Sequence, residues 1–118
     1  MKREDIIFER KEFLNLPGHN GMANIVAQVT ARPYEYNGEE YRNTYCKLDF
    51  ADCSRVISMD IELDDEYSRE NALFKIDTLL DVLKEYRDAI EKEGKYQKRL
   101  EKKKARIKIE QDKKDESA

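Results

Sequence analysis

The chain has 118 residues, 42% of them charged and 39% hydrophobic, with a formal net charge of −3. The length suits one domain with a modest core, and a charged share far above the globular average of about 25% requires much of the chain to be solvated surface or extended helix. Seven Tyr and four Phe are too many aromatics for wholesale disorder, and no apolar run approaches the roughly 18 residues of a membrane-spanning helix.

The opening residues, Met1-Lys2-Arg3-Glu4-Asp5, turn acidic at once and lack the apolar stretch of a signal peptide. A cytoplasmic protein is therefore expected, with Cys46 and Cys53 as reduced thiols. Ile6, Ile7 and Phe8 form a β-prone cluster that predicts an edge strand over residues 6–9. Pro17-Gly18-His19-Asn20-Gly21 reads as a tight loop.

Asn37-Gly38 is the strongest local signal, because a type I′ hairpin turn needs φ > 0 at both central positions and Asn-Gly tolerates this best. The turn predicts a register in which paired residue numbers sum to 75. Ile25, Ala27 and Val29 then face Phe50, Leu48 and Cys46 on one side of the ribbon. Tyr34 with Tyr41, Arg32 with Asn43, Thr30 with Tyr45 and Gln28 with Lys47 fall on the other. A slip by one residue would scramble both faces. Residues 55–63 alternate Ile57, Met59, Ile61 and Leu63 with Ser58, Asp60 and Glu62, which predicts a further strand with its apolar side inward. A short turn through Asp52, Cys53 and Ser54 leads into it.

An apolar sheet face needs a cover. Ala72, Ile76, Leu79, Leu83, Tyr86 and Ile90 recur at spacings of three and four, one stripe of a helix. Asp65 or Ser68 is the expected N-cap, with Asp64 and Glu66 adding charge that suits a helix start. Gly94 is expected to interrupt this helix. Beyond it, Leu100 and Ile107 are seven apart, one faint heptad pair, in a segment expected to fray into a solvated tail over residues 113–118. The fold class is thus α+β: a three-stranded antiparallel sheet, four-stranded with the edge strand, packed on one long C-terminal helix. Residues 1–94 form the sheet-plus-helix domain and residues 95–118 a basic helical extension.

The net charge hides a split. Residues 1–92 carry 20 acids and 13 bases, net −7, while residues 93–118 carry 6 acids and 10 bases, net +4. No catalytic or metal site is expected. There is one histidine, His19, with no partner base or acid in view, and no phosphate loop, nucleophile elbow or zinc-binding helix motif. Cys46 falls on the apolar strand face and Cys53 in a turn. Asp60, Glu62, Asp64 and Asp65 lack the twelve-residue loop of a calcium site. No cofactor is implied.

Two surfaces remain. The open sheet face gathers Tyr34, Tyr41 and Tyr45, with Tyr36 next to the turn, beside Arg32, Asp49, Asp60 and Glu62. Tyr and Arg are the side chains that carry interface hot spots. Residues 35–66 hold ten acids and three bases, a field that repels nucleic acid and suits a protein with a basic groove. The other surface is the basic helix with Lys95, Lys98, Arg99, Lys102, Lys103, Lys104, Arg106 and Lys108, spread on all sides, which suits salt-sensitive, sequence-blind nucleic-acid contact. Self-association through the helices, as a homodimer, is a third reading.

The segments Asp52-Cys53-Ser54-Arg55 and Glu70-Asn71-Ala72-Leu73-Phe74-Lys75-Ile76-Asp77-Thr78-Leu79 resemble short accessory proteins of Gram-positive bacteriophages and mobile elements. The resemblance covers the strands and helix but not the tail. It implies a small non-enzymatic protein acting in a host cytoplasm on a host protein partner. Some such proteins, anti-CRISPR inhibitors among them, block defence nucleases with acidic surfaces that mimic nucleic acid. The basic tail departs from that pattern.

Overall fold

The computed structural model describes residues 5–117; the first four residues of the sequence and Ala118 lie outside the described residues. Four strands, β1 (Ile6–Phe13), β2 (Asn24–Tyr36), β3 (Glu39–Asp52) and β4 (Arg55–Met59), precede one helix, α1 (Glu66–Ser117). The strands form a single antiparallel sheet in the order β1-β2-β3-β4. The α+β arrangement of an antiparallel sheet and one long C-terminal helix is as the sequence predicts.

The chain divides into two compact units, residues 1–74 and 75–118. In the first, Asn37 and Gly38 adopt φ of 54° and 79°, the positive values that a type I′ turn requires. Every β2–β3 pair sums to 75, from Tyr36↔Glu39 through Tyr34↔Tyr41 to Asn24↔Ala51. The residues flanking a two-residue turn exchange hydrogen bonds, and the sites alternate from there. By that alternation Pro33, opposite Arg42, stands where a backbone N–H would point away from β3, so the missing donor costs the ladder nothing.

The β3–β4 turn is tighter in its demands than its residues suggest. Cys53 sits at φ 56° between the paired Asp52 and Arg55, a left-handed conformation that glycine adopts far more easily. β1 is longer than expected and is an edge strand with a register shift between Ile6 and Phe8, so that Phe8 faces Val29. A β-bulge of this kind leaves the extra residue unpaired and strengthens the local twist.

Several expectations are corrected. The strand predicted over residues 55–63 pairs only to Met59; residues 60–64 keep the alternation but form no ladder, since period two marks an extended chain and not its hydrogen bonding. Ile57 is exposed, because β4 is an outer strand with one neighbour. Finally, α1 passes through Gly94 and on to Ser117 without a break. Side-chain contacts straddle the glycine: Lys95 Nζ lies 3.0 Å from Glu91 Oε1, and Gln97 Nε2 donates to Glu93 Oε1 at 3.3 Å. Such i,i+4 pairs contribute a few tenths of a kcal/mol each, against about 1 kcal/mol for a mid-helix glycine.

Burial is sparse. Among the described residues, the buried hydrophobics are Ala31, Leu48 and Ala72, with Thr30 as a buried polar residue, and no side chain is completely enclosed. Thr30 satisfies its hydroxyl by donating to the Tyr45 carbonyl at 3.3 Å. Asp65 is the helix N-cap: its Oδ1 accepts the Ser68 N–H at 2.7 Å, and this bond holds its carboxyl below the ordinary carboxylate range. Along the predicted stripe, Leu83, Tyr86 and Ile90, expected to lie against the sheet, are exposed. The second unit consists of helix alone, and one helix cannot bury its own stripe.

Candidate protein-interaction surface

The central hairpin outruns its neighbours. β1 pairs with β2 no further than Thr30, and β4 reaches β3 no further than Leu48. Among the described residues, β2 and β3 beyond those points pair only with each other, up to the Asn37-Gly38 turn. Residues 32–43 are exposed without exception. Five or six residues beyond the last flanking pair make an arm of roughly 17–20 Å at about 3.3 Å per residue.

Alternation places Tyr34, Tyr36 and Tyr41 on one face of this arm, with Tyr45 at its root. Tyr34 and Tyr41 are direct cross-strand partners, and their rings stack with centroids 5.6 Å apart and 22° between planes. Stacking of this kind contributes about 0.5–1 kcal/mol. The pair remains open, with Tyr34 51%, Tyr41 40% and Tyr45 57% exposed. Tyr41 also donates its hydroxyl to Glu39 Oε2 at 2.8 Å. That hydrogen bond, helped by desolvation and by Tyr34, raises the Tyr41 pKa. The two rings are therefore held in place by contacts within the chain itself.

The root of the arm is anchored. Arg32 donates through Nη2 and Nε to Asp5 Oδ2 at 2.6 and 3.2 Å, tying β2 to the residue just before β1 where the ladder has already ended. These two side chains line an open depression of about 360 Å³ together with Thr30, Asn43 and Tyr45. On the other flank, the unladdered residues 60–64 border a cleft of about 330 Å³ along β3. It brings Asp60 and Glu62 beside Tyr45, Lys47 and Asp49, where Lys47 Nζ lies 3.6 Å from Asp49 Oδ2. The predicted surface residues thus form two clusters: the tyrosine arm with Arg32, and the acidic cleft with Asp49, Asp60 and Glu62.

The other candidates resolve simply. His19 Nδ1 accepts the Gly21 N–H at 2.9 Å, a local loop contact. Gly21 has the Asn15 side-chain amide pressed against the position a Cβ would occupy, so a larger residue there would displace that amide. Burial raises the Cys46 pKa, which disfavours the thiolate a nucleophile needs, and Cys53 is an exposed free thiol. Among the described residues, no three His, Cys, Asp or Glu side chains gather as a metal site, and no helix is long and apolar enough to cross a membrane. All eight bases of residues 95–108 are exposed on the helix.

The register assigns the tyrosines to one face but does not reveal the arm, because projection depends on where the flanking strands stop. Pro33 was the available signal, since proline avoids strands paired on both sides. No family model, curated protein or solved structure matches the chain.

Proposed function

We propose that this chain is a non-enzymatic binding protein that engages a protein partner through the β2–β3 arm, with Tyr34, Tyr36 and Tyr41 as anchors. The observation that carries this reading is the stacked, exposed Tyr34–Tyr41 pair on a hairpin projecting beyond both flanking strands. Exposed aromatics on a rigid ribbon supply contact area at small entropy cost. The charge supports a particular class of partner. Residues 35–66 carry net −7, and the acidic cleft adjoins the arm, so a protein with a basic groove is the complementary surface. An inhibitor or regulator of a nucleic-acid-binding host protein, of the kind encoded by phages and mobile elements, fits that description.

The test compares wild type with Tyr34→Ser/Tyr41→Ser in co-purification from the native host, with mass spectrometry of the retained proteins and circular dichroism as a folding control. Loss of one specific, abundant partner with the spectrum unchanged supports the proposal. Identical recovery by the folded double variant removes the arm from consideration.

A second reading, nucleic-acid contact by the basic helix, draws on eight exposed bases and one acid in residues 95–108. It predicts a gel shift that weakens steeply with salt and vanishes on deletion of residues 95–118. No shift at low salt excludes it.

A further inference from the structure

Continuity through Gly94 changes the meaning of the apolar residues in the second unit. An interrupted helix would leave Leu100 and Ile107 unrelated to the stripe before them. In an unbroken helix their phase is fixed. Ile76, Leu79, Leu83, Tyr86 and Ile90 follow alternating steps of three and four, and Leu79 to Leu100 is three heptads and to Ile107 four. All seven residues therefore belong to one heptad seam, and only Glu93, Gln97 and Lys104 are polar at the intervening seam positions. An ideal helix drifts about 20° per heptad from such a repeat, so a strict seven-residue pattern over this length is kept in register only by supercoiling around another helix.

The seam lies open. Leu83 is 46%, Tyr86 63%, Ile90 56% and Ile107 56% exposed. Long helices in water owe most of their stability to packing of an apolar face, so this one calls for a partner helix of the same period and length. We infer that the partner is a second copy of this chain, and that residues 76–107 of two copies form an antiparallel coiled coil.

Charge selects both the partner and the direction. Residues 77–93 hold six acids and three bases, while residues 95–108 hold one acid and eight bases. An antiparallel pair lays the basic half of each helix along the acidic half of the other. A parallel, in-register pair would instead set Glu93 against Glu93 and Lys104 against Lys104 in the seam, and Lys103 against Lys108 on its flank. Like charges at those positions disfavour a pairing. The inference stands apart from the arm, which uses no residue of this helix.

Sedimentation equilibrium of the full chain at micromolar concentration tests the association. A dimer mass is expected, with Leu83→Asp/Ile90→Asp losing it and Lys102→Glu, outside the seam, keeping it. A monomer mass for wild type across the concentration range overturns the inference, whatever the variants do. So does a dimer that Leu83→Asp/Ile90→Asp leaves intact. Direction is read by spin labels on Asp112→Cys in a Cys46→Ser/Cys53→Ser background. Antiparallel helices at 1.5 Å per residue hold the two labels more than about 40 Å apart. A shorter distance overturns the antiparallel assignment.

Discussion

The two halves of the central hairpin share one register and differ in their neighbours. Toward the open ends of β2 and β3, the ribbon has β1 on one side and β4 on the other, and there Thr30 and Leu48 are buried. Toward the turn no described strand flanks it, and all of residues 32–43 are exposed. Identical backbone pairing thus yields a packed end and an exposed end, and the proposed function assigns stability to the first and presentation to the second. Mutations should separate the two.

The largest effect is expected at the flanked end. Leu48→Ala removes a side chain 8% exposed and should cost about 2–3 kcal/mol in urea unfolding. A cost below about 1 kcal/mol would mean that the first unit has no central packing to lose. Next come the turns. Gly38→Ala forces a Cβ onto φ 79° where no atom stands within 4 Å, so its expected cost of about 1 kcal/mol is conformational alone. Cys53→Gly should act in the opposite direction, stabilising by about 0.5–1 kcal/mol, because φ 56° is already the glycine conformation. Equal signs for these two changes would contradict the turn geometry.

At the presenting end, Tyr34→Ala should lower stability by no more than about 1 kcal/mol, the value of one stacked cross-strand pair, while abolishing partner recovery. Large effects on both would make the arm a structural element and not a presenting one.

The smallest effect is a pH dependence in the helix. The carboxylates of Glu91, beside Lys95 and Arg87, and of Asp65, bonded to Ser68, have pKa values below their ordinary ones. A depressed folded pKa contributes stability above the unfolded pKa and loses it as pH falls through the folded one. Helicity followed by circular dichroism should therefore decline on acidification below about pH 4. Glu91→Gln should shrink that decline, and an identical profile for the variant would show that these pairs contribute nothing to the helix.

Much of this was legible in the residues. Asn37-Gly38 alone determined every β2–β3 pair, because a turn with one allowed geometry leaves no freedom in register. Asp65 was readable as one of two candidate caps, with Ser68, because such side chains are acceptors for backbone N–H groups at a helix start. What escaped were features set by competition between effects of similar size. Gly94 weakens a helix, but Glu91, Glu93, Lys95 and Gln97 bridge it at four-residue spacing, and the helix continues. Residues 60–64 alternate like a strand, yet alternation carries no information on whether a ladder forms. The stripe at Leu83, Tyr86 and Ile90 announced a buried face without saying what buries it. The period, close to 3.5 and extended to Ile107, is the signal on which the inferred pairing of two helices rests.

Pro33 leaves a last mark on the projecting ribbon. Its ring withholds a donor from the outer margin of β2, while on the far margin Glu40, Arg42 and Thr44 keep amide groups turned outward by the same alternation. Fibrillar stacking propagates by adding chains to both margins of a ribbon. With one margin impaired and the other open, growth by strand addition is disfavoured on the Pro33 side of this twelve-residue exposed tip.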